Sequence, residues 1–306
     1  MVDIAIKFRH LNTFVEVARQ RSVGRAAEVL LVSQPAVSKT LRELEAAVGT
    51  QLVERDGRGI RITRFGEMFL HHAGESLGAI RRGIDSVSRA RASIEPPLRV
   101  GALPTVAARI MPAAIERYAA LKSGATIRIG SGENMVLLEQ LRSGQLDIVV
   151  GRLAAPEQMT GLNYEHLYSE QVVFAVRPGH PLLSAGTFDF SRIREFTVLM
   201  PTQGSIIRPY VERFLMAHGI GHLPVEIETI SDAFGRGMLR HSDVIWIISE
   251  GVIAPDRDAG DIATLPIDTS ETRGSVGLTT LAETAPAAAA VQLSRCLRDT
   301  VAALGL

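Results

Sequence analysis

Residues able to do chemistry gather in two stretches of this 306-residue chain. In the first, Ser33, Gln34, Pro35, Ser38, Lys39 and Arg42 fall within SQPAVSKTLR, a short helical pattern that opens on a serine. A glutamine amide and serine hydroxyls at a helix start suit hydrogen bonds to base edges, and Lys and Arg suit phosphate. Arg42 also has the reach and the fork to meet guanine. In the second stretch, Thr105, Arg152 and the run Gln203, Gly204, Ser205 to Arg208 each follow an apolar strand pattern. Hydroxyls, backbone N–H groups at helix starts and two guanidinium groups are the chemistry of carboxylate binding. Together they suit a di- or tricarboxylate.

Other chemistries lack their parts. His71 and His72 are adjacent on a helix and point apart, and His218 and His222 have no partners at zinc spacing. There is no G-x-x-x-x-G-K-[ST] phosphate loop and no G-x-S-x-G elbow. Cys296 sits in a C-terminal helical pattern and reads as buried. The expectation is a protein that is not an enzyme, with no catalytic residues, metal site or cofactor.

The elements that must position the first group are short and close together. Phe8, Leu11, Phe14, Val15 and Ala18 mark one helix by their spacing. Ser22 is placed to cap a second, VGRAAEVLL, and Ser33 a third, which tolerates Pro35 in its first turn, buries Ala36, Val37, Leu41 and Leu44, and ends near Gly49. Two helices joined by so short a turn form a helix-turn-helix, whose second helix fits a DNA major groove. QLVERDGRGIRIT then reads as a hairpin, or wing, with Arg55, Arg58, Arg61 and Arg64 around its turn. The plain alternative is a helical pair whose polar residues only face water.

Phe69, Ala73, Leu77, Ile80, Ile84 and Val87 then recur at near-heptad spacing on a proline-free helix, and such a seam calls for a partner helix. EPP at 95–97 ends it. Beyond, strands alternate with helices: LRVGAL, then PTVAARIMPAAIERYAALKSG as one helix, then ATIRIGSG, LDIVVG, QVVFAVR, FTVLMP, PVEIETI and DVIWIIS as strands. That grammar implies α/β units with largely parallel sheets and a cleft where strand ends meet helix starts. Ser205 is expected to open the helix that carries Arg208 one turn in.

Composition fits a soluble globular protein with no membrane partner. The net charge is zero, yet residues 1–95 hold 15 Lys+Arg against 11 Asp+Glu, and residues 96–306 hold 18 against 22. A basic front and an acidic back imply different partners. A single cysteine and an N-terminus without a secretory pattern fit a cytoplasmic location.

FRHLNTFVEVARQRSVGRAAEVLLVSQPAVSKTLRELEAAVGTQLVERDGRGIRITRFGE closely resembles the N-terminal domain of LysR-type transcriptional regulators, and the order of elements is similar over the full length. The resemblance implies an α+β multidomain protein: a winged helix-turn-helix over 1–64, a linker and dimerisation helix over 65–94, and a two-lobed α/β, periplasmic-binding-protein-like effector domain over 95–306. Its lobe I covers about 95–172 and 273–306, and its lobe II about 173–272. The implied partners are double-stranded operator DNA, a small-molecule inducer, RNA polymerase and further copies of the chain, as a homodimer or homotetramer. The DNA contacts it implies are Ser33, Gln34, Pro35, Ser38, Lys39, Arg42, Arg55 and Arg58.

In the effector domain, RVGALPTVAARIMPAA, GENMVLLEQLRSGQLDIVVGRLAAPEQMTGL and PIDTSETRGSVGLTT resemble LysR-type regulators of protocatechuate catabolism, and also the related galactose-type regulators. The first implies an activator of β-ketoadipate-pathway genes responding to a carboxylated muconate, and the second a regulator of sugar-utilisation genes. Thr105, Glu133, Arg152 and the 203–208 segment match effector-contact positions of the aromatic-catabolism regulators. Glu133 departs from that pattern, because its carboxylate either repels an anionic ligand or pairs with an arginine. Phe234 is a candidate for the cleft wall, and Trp246, in an apolar strand, reads as core. A solute-binding protein accounts for residues 98–306 but not 1–92, and an α/β enzyme needs a constellation that is missing.

Overall fold

The computed structural model describes residues 6–57, 59–91, 97–122, 124–184, 188–282 and 284–306. The chain forms two compact units, residues 1–96 with 138–146, and residues 97–137 with 147–306.

The first unit begins with helices α1 (Phe8–Gln20), α2 (Val23–Leu30) and α3 (Gln34–Val48). The Ser22 and Ser33 hydroxyls accept from the Arg25 and Ala36 amides, and Gly49 ends α3 at φ +80°. Leu31 ends α2 in the left-handed region at φ +55°, which swings the chain into α3 within three residues. Phe14, Val17, Ala26, Val37, Leu41 and Leu44 form the shared core. Ala36, expected inside, is exposed. Successive helical residues are about 100° apart, so Ala36 falls well off the stripe set by Val37, Leu41 and Leu44.

Strands β1 (Val53–Asp56) and β2 (Gly59–Ile62) pair antiparallel as the wing. The Glu45 carboxylate of α3 accepts from the Leu52 and Val53 amides at 2.8 and 3.2 Å, tying the wing to the helix it flanks. Arg58 lies outside the described residues. Helix α4 (Arg64–Arg91) follows. The early part of its seam is packed, with Ala73 and Leu77 buried and Phe69 against Phe14. The later part is not: Ile80, Ile84 and Val87 are 44%, 59% and 62% exposed.

The second unit holds two five-stranded sheets. One has β3 (Leu98–Ala102), β4 (Ile127–Ser131), β5 (Ile148–Arg152), β6 (Leu162–Glu170) and β12 (Gly274–Leu281), in the order β4-β3-β5-β12-β6. The other has β7 (Val172–Val176), β8 (Val198–Met200), β9 (Glu226–Glu228), β10 (Ile245–Ser249) and β11 (Ala263–Thr264), in the order β11-β7-β10-β8-β9. Both are mixed rather than largely parallel. In each, three parallel strands are extended by two antiparallel ones: β12 and β6 in the first, β7 and β11 in the second. The antiparallel members flank the two passages between sheets, at 170–172 and 264–274. Two buried threonines stitch these passages. Thr269 donates to the Val172 carbonyl, and Thr272 accepts from the Val172 amide.

The helices of this unit are α5 (Pro104–Arg109), α6 (Met111–Ala120), the first turn of α7 (Asn134–Arg142, which from residue 138 belongs to the first unit), α8 (Pro181–Ser184), α9 (Arg208–Ala217), α10 (Asp232–His241), α11 (Glu250–Asp258) and α12 (Ala288–Ala303). The run expected as one helix after β3 is split at Ile110, because Pro112 is tolerated only in a first turn. Helix α9 starts at Arg208, later than expected, for the same reason. A start at Ser205 would drive the Pro209 ring against the Ser205 carbonyl. Among the described residues no helix is long and apolar enough to cross a membrane.

Candidate DNA interface and effector cleft

The start of α3 stands open. Gln34, Pro35, Lys39 and Arg42 are exposed and Ser38 is half-buried. One face of two turns therefore presents an amide, a hydroxyl and two cations. Arg42 Nε donates to the Ser38 carbonyl at 3.2 Å, which leaves the rest of its fork outward. Lys39 lies 4.0 Å from Glu43, a loose exposed pair. Glu43 is held mainly by His10 Nε2 at 3.1 Å and by Arg9 at 3.2 Å, contacts that lower its pKa. The neighbouring negative charge is thus partly satisfied from behind. Arg55 is exposed on the wing, and Arg61 pairs with Glu54 at 2.8 Å. Beside Ser33, Leu31 and Val32 are exposed. Neither was legible as surface, since an apolar pair next to an apolar helix reads as core.

The effector-domain candidates are arranged differently, because most already have partners inside the protein. Thr105 is buried at the start of α5, and its hydroxyl faces the Glu170 carboxylate at 2.6 and 2.7 Å. Glu170 ends β6, beside the passage between sheets. Burial pushes its carboxyl pKa up, against the opposing effects of Thr105, Arg152, Arg109 and the Gly251 amide. That amide opens α11, so Glu170 joins helices standing over the two sheets.

Arg152 ends β5 and is 3% exposed. Its Nη2 donates to the Glu170 and Thr272 carbonyls at 2.8 and 2.6 Å, and the Tyr210 ring centroid is 5.1 Å from its Cζ. Its Nε and Nη1 are buried with no hydrogen-bond partner, as is the Tyr168 hydroxyl. Burial lowers the Arg152 pKa and raises that of Tyr168. Gly274 makes the place possible, since a side chain there would run into the guanidinium. A buried cation with two unpartnered nitrogens, close enough to a buried, unpartnered phenol to act on it electrostatically, is chemistry suited to an anion.

Arg208 corrects the expectation that it is free to bind a ligand. Four of its five N–H donors are taken by Glu212 at 2.6 Å, Glu226 at 2.9 Å, Glu228 at 3.0 Å and the Pro201 carbonyl at 2.7 Å. As the first residue of α9 it fastens that helix to β9 and the β8–α9 loop. Gln203 also turns toward Glu228, at 3.4 Å. Ser205 contributes backbone bonds, accepting from the Arg208 amide and donating to the Thr202 carbonyl. Phe234 is 43% exposed in the first turn of α10. Trp246 is buried, with Gly235 closely over its ring, in the core of the second sheet. Glu133 lies on the loop before α7, and the Thr202 hydroxyl donates to its Oε1 at 3.0 Å. Of the residues proposed from sequence, the structure therefore groups Thr105 with Arg152 around Glu170, and Glu133 with the 202–204 loop. It places Arg208 and Gln203 in a separate acidic cluster. Glu170, Tyr168, Tyr210 and Thr202 were not singled out from sequence. The faint signal was in YEHLYSE, where Tyr168 and Glu170 are two residues apart and so share one face of the strand.

Two family models match the chain. Residues 8–67 match the bacterial regulatory helix-turn-helix protein, lysR family, and residues 91–302 match the LysR substrate binding domain. The chain belongs to the LysR family of bacterial transcriptional regulators. This LysR-type regulator is 59% identical over 304 residues to the HTH-type transcriptional regulator PcaQ of Agrobacterium fabrum, covering 99% of this chain and 98% of that one. It is 38% identical to the uncharacterized HTH-type transcriptional regulator YdcI of Escherichia coli, over 86% of this chain and 85% of that one. Among solved structures, full-length BenM has a TM-score of 0.57 at 20% identity, with 98% of both chains covered. Full-length CbnR complexed with its target DNA has a TM-score of 0.53 at 23% identity, with 96% of this chain and 100% of that chain covered. These likenesses establish the fold of a LysR-type regulator with a helix-turn-helix and an α/β effector-binding domain.

Proposed function

We propose that this regulator activates genes of protocatechuate catabolism, in the β-ketoadipate pathway, in response to a carboxylated muconate-type intermediate. The observation that carries the reading is the 59% identity to PcaQ, which runs through the DNA-binding and effector domains alike. In this reading Ser33, Gln34, Pro35, Ser38, Lys39, Arg42, Arg55 and Arg58 meet operator DNA, with Gln34 and Ser38 at base edges and the cations at phosphate. The exposed seam of Ile80, Ile84 and Val87 packs on a second copy, and a symmetric dimer then presents two reading heads to a two-fold site. Homotetramers, a cytoplasmic location and contact with RNA polymerase belong to the same proposal.

The effector carboxylates are proposed to use Arg152, whose two unpartnered nitrogens call for an anion. Thr105 and Ser205 border that cleft, Phe234 walls it, and Arg208 acts by holding the 201–207 loop in place. Ligand changes DNA geometry only through unequal affinity for two arrangements of the protein. The test is thermal unfolding of the purified full chain with 3-carboxy-cis,cis-muconate, protocatechuate, cis,cis-muconate and galactose. A ligand at 100 times its dissociation constant stabilises the native state by about 2.7 kcal/mol. A shift with the carboxymuconate and none with galactose is the expected result. A shift with galactose alone overturns the protocatechuate reading and leaves the family intact.

A further inference from the structure

Resting on the reading of this cleft as a carboxylate-effector site, we infer that Glu133 is a built-in competitor: its carboxylate occupies the 202–204 loop position that an effector carboxylate must take, and effector binding displaces it. Three observations converge. The Thr202 hydroxyl, an uncharged donor just beyond β8, is directed to Glu133 Oε1 at 3.0 Å. Gly204 admits the same carboxylate closely, since a side-chain carbon at that position would lie 2.6 Å from Glu133 Oε2. Glu133 and the loop come from opposite sheets of the effector domain, because α7 follows β4 in the first and the loop follows β8 in the second. The contact is therefore a latch between two lobes, made by a carboxylate.

The strength of this latch suits displacement. Glu133 is half-buried, and its side-chain bond is to the neutral Thr202 hydroxyl. The same residue's carbonyl accepts from the Leu137 amide in the first turn of α7, where a helix favours a negative charge. The carboxylate is held across the cleft by a bond of modest net worth. Arg208, which would otherwise neutralise charge near the loop, is already paired with three glutamates. An effector anion approaching Thr202 meets Glu133 as a like charge and must move it. The cost appears in the apparent affinity, which is the intrinsic affinity multiplied by the fraction of molecules with the latch open. Glu133 in this account sets the threshold concentration and rejects weakly anchored monoanions. A ligand also held at Arg152 has enough binding energy to open the latch.

The experiment uses full-length protein with Glu133→Gln, which keeps shape and removes charge, and Glu133→Ala, which removes the latch. Binding of 3-carboxy-cis,cis-muconate and of citrate is measured by calorimetry, and amide hydrogen exchange at residues 203–206 without added ligand. Both variants are expected to bind the carboxymuconate roughly 10-fold more tightly than the natural protein. Exchange at 203–206 is expected to quicken in Glu133→Ala. Unchanged or weaker binding by both variants overturns the inference, because a residue that merely shapes the cleft or donates affinity gives one of those results. Unchanged exchange overturns it as well. If the natural protein binds neither anion, the effector reading fails on its own. The latch is then decided by exchange and by whether the variants acquire citrate binding.

Discussion

The DNA-reading end of α3 and the effector cleft carry similar residue types under opposite conditions. At α3, Gln34, Lys39 and Arg42 are exposed, and their fixed bonds are few. In the cleft, Thr105, Arg152 and Glu170 are buried and bonded to one another or to distant backbone. The difference teaches what each end can tolerate. Side chains facing water are held by their own helix, so they can be changed without loss of fold. Side chains in the cleft form the joint between the two sheets, so binding and stability are coupled there.

The largest expected effect breaks that comparison most sharply. Arg152→Ala removes the donor to the Glu170 and Thr272 carbonyls and leaves both unpaired in a buried joint. Stability should fall by about 3 kcal/mol, read by urea unfolding. Effector binding should vanish, while operator binding at a temperature where the variant is folded should persist. A loss below about 0.5 kcal/mol would remove the joint from the account. Next comes Gln34→Ala. Specific operator affinity should fall by about 1–3 kcal/mol, the range of a good base contact, with no change in unfolding midpoint. Lys39→Ala should weaken binding to all sequences and reduce the salt slope by about one.

A smaller effect depends on pH. Burial raises the Glu170 pKa in the folded chain above its unfolded value. The native state then holds a proton that the unfolded state has released. Stability from this group is complete below the unfolded carboxylate range and is lost as pH rises through the folded pKa. Glu170→Gln keeps an acceptor for Thr105 and removes the titration. Urea unfolding at pH 5 and pH 8 should show the difference between these values shrink in the variant, and an unaltered difference would contradict the assignment. The smallest effect is Ala36→Ser. It should change stability by less than about 0.5 kcal/mol, since Ala36 is exposed. Val37→Ala, one residue along and buried, should cost about 1–2 kcal/mol.

How far each region was legible follows from the same contrast. The caps at Ser22 and Ser33, the Gly49 stop and the wing are decided within a few residues, so short-range rules read them. Ala36 was misplaced because a small apolar residue beside Val37 gives no sign of its side of the helix. In the effector domain, alternation of strands and helices was readable, but the antiparallel extensions β12 and β7 were not. Chain reversal between sheets is settled by contacts a hundred residues apart, such as Thr272 to Val172. Arg208 shows the same limit. Its helix-start position suggested an anion, and three glutamates far along the sequence or on the next turn had already claimed it.

The most direct test of the central claim is a footprint on the promoter of the protocatechuate genes, taken with the full chain with and without 3-carboxy-cis,cis-muconate. The account predicts a two-fold site that is lost in Gln34→Ala. It also predicts a ligand-dependent change in the protected spacing that is lost in folded Arg152→Ala. A footprint unaffected by the carboxymuconate but altered by galactose, or one equally damaged by both substitutions, would contradict it.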